Sequence, residues 1–369
     1  MTSTQGGIIN SALFAGYTIA VPFLVSLADR IDARKIYLAS VLTGAMAHLG
    51  FSAFADNVTT ASLFRALYGV SLAGTYMPGL HIIGTHLPAA VVPRATGFYT
   101  ATFSLGAAVS YIISDTAAAA LGWEAVFLIA AGTSVLAAIV MVLAAHPCKP
   151  HNQAGPWLTT LDPRPVFRNK SAMGYSICYA LHSYELFTVR SWLVAFLSVA
   201  ALSGGAGVNY ATPAIVAAAM TLAGVFASIG GNEVAIRTGR LRSITFAMVI
   251  SGVIALAVAG ASHLAYLLCI AFVLIHGVTI MLDSAALTAG AFGSAKPSER
   301  GITMAVHSTL GFGGAIIGPF VFGLIVDLFG SNNGAGWAVA YGHMALVVFA
   351  GPLVLKWFKP QALAGDNQS

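Results

Sequence analysis

The chain has 369 residues, of which 58% are hydrophobic and only 8% charged, and its formal net charge is +5. A soluble globular domain carries about 25% charged residues, so 17 lysines and arginines with 12 acids cannot clothe a water-soluble body of this size. That excludes a cytosolic enzyme and a nucleic-acid-binding module. Cys148, Cys178 and Cys269 lie far apart with no CxxC spacing, and read as isolated thiols rather than disulfides or a metal site.

A helix needs about 20 apolar residues to cross the hydrocarbon. In chain order such stretches fall at 8–27, 36–55, 60–87, 95–121, 123–145, 171–199, 208–231, 243–261, 264–286, 301–326 and 336–356. The long apolar runs that hold two spans are divided at Ser203–Gly207 and at Ser262-His263. The segments are continuously apolar and too long for alternating barrel strands, so the expected class is an all-α polytopic membrane protein with eleven spans. The amino end has no basic region and no small-residue cleavage site, and does not read as a cleavable signal.

Lysine and arginine set the orientation. Alternate connections receive Arg30, Arg34 and Lys35; Arg94; Lys149, Arg164, Arg168 and Lys170; Arg237, Arg240 and Arg242; Lys296 and Arg300; Lys356 and Lys359. Those fifteen of the 17 basic residues share one side, the other side receives none, and Arg65 and Arg190 lie within spans. The positive-inside rule makes the basic side cytoplasmic, with the C-terminus inside and the N-terminus outside.

The longest polar connection, 146–170, is rich in proline and charge and reads as a cytoplasmic linker. It divides an N-terminal bundle, 1–145, from a C-terminal bundle, 171–356, followed by a cytoplasmic tail, 357–369. The two bundles look related. Asp29 and Glu233 are 204 residues apart, Arg94 and Arg300 are 206 apart, and each arginine opens a span rich in small residues. A tandem repeat on this scale marks the parallel halves of a secondary transporter. The run Gly311-Phe312-Gly313-Gly314-Ala315-Ile316-Ile317-Gly318-Pro319 offers a small-residue surface where helices can approach closely.

The segment Leu27-Ala28-Asp29-Arg30-Ile31-Asp32-Ala33-Arg34-Lys35 resembles the G-x-L-a-D-R-x-G-R-K signature of the major facilitator superfamily. Arg65, in FRALYGVSLAG, resembles that family's fourth-helix arginine motif, and 231–240 is a partial echo of the signature. Two departures stand out. Asp32 precedes alanine where the family usually has glycine, and the fifth-helix G-x-x-x-G-P-x-x-G-G motif of proton antiporters is absent from 95–121. The resemblance implies two six-helix bundles. Because the signature should follow the second helix and here follows the first, it also implies that the family's first helix is missing from this chain. Translation of the sequence upstream of Met1 checks that expectation.

Ionisable groups inside a membrane are costly and default to functional candidates. The resemblance makes Asp29, Arg30 and Arg34 a cytoplasmic gate, with Glu233, Arg237 and Arg240 as its counterpart; the plain alternative is a solvated topogenic loop. Arg65 is a candidate for holding an anion or for proton coupling, against snorkelling to lipid phosphates. His182, Glu185 and Arg190 share the span 171–199. His182 and Glu185 are three apart and lie on one helical face, whereas Glu185 and Arg190 point apart and need partners elsewhere. Asp283 follows His276 by seven residues, on one face, and is a further proton-site candidate. His307, His81 and His86 are weaker candidates, and Asp115 and Asp327 are read as meeting water near the outer ends. A structural hydrogen-bond network is the bland reading of all these groups.

No catalytic motif, phosphate loop or metal-ligand cluster is present, so no enzyme activity and no cofactor are expected. The reading is a secondary carrier of the bacterial inner membrane, a monomer among lipids, working by alternating access. Protons are its coupling ion, and a small organic or inorganic anion is its substrate. Nitrate is disfavoured, because the family's nitrate carriers have substrate arginines on their second and eighth helices and 8–27 and 208–231 have none. The alternatives are a truncated non-transporting remnant, a membrane sensor on the same fold, or a drug or metabolite efflux carrier.

Overall fold

The computed structural model describes residues 1–28, 31–88, 91–147, 162–203, 211–261, 266–296, 299–331, 334–363 and 366. Asp29, Arg30, Cys148, most of the 146–170 connection and the turns expected at 203–207 and 262–263 lie outside them, apart from Ser203 at the end of its helix.

The described residues form helices α1 (Ser3–Ala28), α2 (Ala33–Phe54), α3 (Val58–His86), α4 (Val92–Leu121), α5 (Trp123–Ala144), α6 (Arg164–Arg168), α7 (Lys170–Ser203), α8 (Pro213–Thr238), α9 (Arg240–Ala261), α10 (Tyr266–Met281), α11 (Ser284–Gly293), α12 (Arg300–Phe329) and α13 (Gly334–Phe358). No strand occurs among them. Ten helical stretches are long and apolar enough to cross a membrane, with α10 and α11 together making one of them. The eleventh expected span corresponds to α3. It has the length, and it carries Arg65, His81 and His86, but it is not among the ten found in the described residues.

Helix ends follow local chemistry. Asp32 caps α2 through Arg34 N. Asn57 and Thr60 form a reciprocal capping box at the start of α3. Pro213 occupies the first turn of α8, where its missing N–H costs nothing. At the other end α8 runs past the expected boundary at 231, through Glu233 and Arg237, and stops only at Gly239, whose φ of +96° suits glycine. A helix leaving the hydrocarbon need not end there, so the first charged residues do not mark the helix terminus.

The chain divides into two compact units, residues 8–161 and residues 162–369 together with 1–7. In the first, α2 packs on α3 and α5, and α4 packs on α5 and α3. Its core includes Ala33, Ile36 and Ile82, with Leu24, Leu27, Tyr37 and Met141 against them. In the second, α7 is the central helix. It packs on α12, α13, α11, α10 and α8, while α9 packs on α13 and α10. Tyr175, Cys178, Ile244, Met248, Leu287 and Val348 anchor that core.

The glycine run of α12 proves to be its contact with α7. A Cβ at Gly314 would strike the Ala180 carbonyl, and one at Gly318 would strike Thr188 and the Tyr184 carbonyl. Only a bare backbone permits this approach. Near the C-terminal end of the same helix, Asp327 is part-exposed, and it also has protein partners. Its carboxylate accepts from Ser3 N at 2.9 Å, Thr4 N at 2.6 Å and Thr4 Oγ1 at 2.6 Å. It thus satisfies amide donors that the first turn of α1 leaves unpaired.

Candidate functional site

Within the second unit, α7 carries two ionisable residues one turn apart, and α10 with its C-terminal end carries two more. The structure pairs them crosswise. Glu185 of α7 meets His276 of α10, with His276 Nε2 and Glu185 Oε1 2.9 Å apart. His182 of α7 meets Asp283, which follows α10, with Nδ1 and Oδ1 2.8 Å apart. All four are almost wholly buried: Glu185 and His182 are 2% exposed, His276 1% and Asp283 4%. Burying a charge is tolerable only when it is paired and hydrogen-bonded, and each acid here has an imidazole against it.

The two pairs are not equivalent. Glu185 Oε1 also accepts from Ser251 Oγ of α9 at 2.8 Å, so three helices close on one carboxylate. His182 and Asp283 approach closely, but off the line of a hydrogen bond. His182 Nδ1, His182 Nε2 and Asp283 Oδ1 are all buried without an aligned hydrogen-bond partner. Around this pair lies a second polar layer. Tyr179 is parallel to His182 and stacks on His307, with centroids 5.7 Å and 4.1 Å away. His307 contacts Ser176 Oγ at 3.2 Å and Thr288 Oγ1 at 3.4 Å. Arg190, two turns further along α7, lies over the Phe187 ring at 5.9 Å and beside Met220, Gly224 and Gly277.

The expected gate residues have separate settings. Glu233 and Arg237 form an exposed pair one turn apart on α8, with Arg237 Nε donating to Glu233 Oε1 at 2.8 Å. Arg240 is 5% exposed and is a hub. Its guanidinium donates to Asn232 Oδ1 at 3.1 Å, to the Ala286 carbonyl at 3.1 Å and to both carboxylate oxygens of Asp366 at 3.2 and 3.0 Å. The tail that brings Asp366 there is itself seated, with Gln361 N on Ser171 Oγ and Leu363 against Gly293. In the other unit, Arg34 Nη2 donates to the Val142 carbonyl at 2.8 Å, joining α2 to α5. Arg65 lies over the Tyr68 ring at 5.9 Å, and the Tyr68 ring is 4.3 Å from that of buried His48. No carboxylate pairs with Arg65 among the described residues.

His276, Ser251 and Asp366 complete these contacts without having been singled out as site residues. His276 had a signal, a histidine in an apolar span in register with Asp283. A serine in an apolar helix and an acid in a short tail carry none. Among the described residues no cluster of ligands is arranged to hold a metal ion.

A family model described as Major Facilitator Superfamily matches residues 1–289. The niacin transporter NiaP of Acinetobacter baylyi is 28% identical over 129 residues, 35% of this chain and 29% of that protein. The chain thus spans less than a third of the curated relative it matches. Two solved structures share the fold. A bacterial homolog to the human lysosomal transporter Spinster has a TM-score of 0.73 at 15% identity, over 97% of this chain and 88% of that one. The nucleoside transporter NupG has a TM-score of 0.75 at 15% identity, over 96% and 91%.

Proposed function

The chain belongs to the major facilitator superfamily, and from that premise we propose that it is a proton-coupled secondary transporter of small carboxylate anions. It works by alternating access, in a bacterial inner membrane, with its C-terminus in the cytoplasm. The observation that carries the coupling is the crossed set of acid–histidine pairs on α7 and α10. A group that binds and releases protons inside a low-dielectric bundle must be an acid or an imidazole whose charge depends on its neighbours, and four such groups touch here. Each proton bound or released changes the charge of the bundle, which makes occupancy and conformation interdependent.

The anion class is supported by Arg65, a cation held by an aromatic ring with no carboxylate partner among the described residues. A guanidinium in that state retains a planar set of donors suited to a carboxylate. The name of the relative points the same way, since niacin is a small aromatic carboxylate. The exposed Glu233–Arg237 pair and the Asp29–Arg34 segment are the cytoplasmic gating elements in this reading.

The test is uptake by proteoliposomes containing the full chain, with labelled nicotinate leading a panel of small monocarboxylates. An inward proton gradient is expected to drive accumulation of at least one of them, and collapsing that gradient with nigericin is expected to abolish it. Uptake no faster than into empty liposomes across the panel, or uptake indifferent to the gradient, overturns the proposal.

A further inference from the structure

The span that carries His276 and Asp283 is not one helix. α10 ends at Met281, α11 begins at Ser284, and Asp283 sits at the junction with φ −97° and ψ −15°. Asp283 occupies the cap position of α11, yet its side chain makes no cap hydrogen bond. The first regular bond of α11 runs from Leu287 N to the Asp283 carbonyl at 2.8 Å, and the carboxylate takes no part in it. The carboxylate is left for His182. The break is held from the other side by α8, where a Cβ at Gly231 would strike the Leu282 carbonyl. A helix interrupted inside a membrane span, with an acid at the interruption, is where transporters place ions, because the freed polar groups line a site instead of closing on themselves.

Resting on the proton-coupled reading above, we infer that the α10–α11 break is the proton-binding site, that Asp283 and His182 are the exchanging pair, and that Glu185–His276–Ser251 is a fixed brace beside it. The division follows from hydrogen bonding. Glu185 has two aligned donors from two other helices, so moving it breaks a closed network. His182 and Asp283 meet at 2.8 Å, and among the described hydrogen bonds no side chain of a third helix donates to this carboxylate as Ser251 does to Glu185. With one proton between them the pair is neutral overall. Release of that proton to water leaves a net negative charge at the junction of two short helices.

The surrounding titratable and charged groups are Glu185 and Cys178 on α7, His276 on α10, His307 on α12 behind His182, and Arg240 on α9. Arg240 donates to the Ala286 carbonyl one turn past Asp283. From α8 the backbone at Gly231 faces the break. Arg240 is committed to Asp366, so the His182 imidazole is the basic group directly against Asp283.

Infrared difference spectroscopy of the purified full chain in detergent, titrated with acid, reads this without any substrate. The protonated-carboxyl band of a buried acid is expected in the wild type, lost in Asp283→Asn, kept in Glu185→Gln, and displaced in midpoint by about one pH unit or more in His182→Gln. Asp283→Glu guards against misfolding: it is expected to elute as the wild type does and to restore a band. Loss of the band in Glu185→Gln with retention in Asp283→Asn reverses the assignment and overturns the inference. A band unaffected by both substitutions, or no band in the wild type, also overturns it. Failure of carboxylate uptake in liposomes with the band behaving as expected strikes the transport reading and leaves the proton site standing.

Discussion

Among the described residues, 162–369 and 8–161 differ in how their buried ionisable groups are held. The former pairs its buried ionisable side chains across helices: Glu185 with His276, His182 with Asp283, Arg240 with Asp366. The latter keeps Arg65 against an aromatic ring, and its helix α5 buries only alanines, Ala131 and Ala138, among its described side chains. In α8, by contrast, ten residues are buried, spread along the helix from Ala214 to Ala235. The contrast teaches that a shared helical plan does not fix how polar groups are satisfied. Among the described residues, one unit pairs buried acids with basic side chains across its helices, and the other holds Arg65 over a ring without a carboxylate partner.

The contrast can be broken most severely at Arg240. Arg240→Ala leaves Asp366 and the Ala286 carbonyl without their donor, and is expected to lower stability in detergent by about 3 kcal/mol, read as a fall in unfolding temperature. A destabilisation no larger than that of an exposed charge would show that the tail contributes nothing to the bundle. Next comes packing. Gly314→Ala drives a methyl into the α7 backbone and is expected to cost about 2 kcal/mol. Gly132→Ala in α5, where a Cβ meets nothing within 4 Å, is expected to be neutral or stabilising by up to about 1 kcal/mol. Equal melting behaviour of the two variants would erase the difference in packing between these helices.

Arg65→Ala separates binding from folding. Its ring contact is worth about 1 kcal/mol or less, so unfolding should change little. The KM for a transported carboxylate should rise about tenfold or more, since one lost charge-assisted hydrogen bond exceeds 1.4 kcal/mol. Arg65→Lys should recover part of that loss. An unchanged KM in Arg65→Ala removes the anion assignment. The smallest effect is expected at Arg237→Ala, whose exposed pair one turn along α8 contributes about 0.5 kcal/mol or less. A larger loss of stability would mean that this pair has partners beyond Glu233.

The helical plan was readable because lipid demands long uninterrupted apolar runs, and because basic residues collect on one side. The site was readable in part for a related reason. His182, Glu185 and Asp283 stand out in apolar spans, where any ionisable group is conspicuous. Their exchange of partners was not readable, since which helix faces which depends on the rotation of α7 and α10 about their own axes. Nor was the break. Thr279-Ile280-Met281-Leu282-Asp283-Ser284 contains no glycine or proline to announce it, and it follows from contacts with α7 and α8. Arg240 shows the same limit from another direction. Gly239 and Leu241 beside it are only part-buried, and its place inside comes with Asn232, the Ala286 carbonyl and the returning Asp366, none of them near it in the apolar pattern.

That returning tail bears on anyone who wishes to handle the protein. Asp366 is fixed to Arg240 with its side chain only 3% exposed, so a purification tag or fluorescent fusion placed next to it would load that contact directly. Fusions made beside that aspartate therefore differ from the bare chain in more than mass, and keeping cargo away from Asp366 is the safer choice for any comparison of thermal or kinetic behaviour.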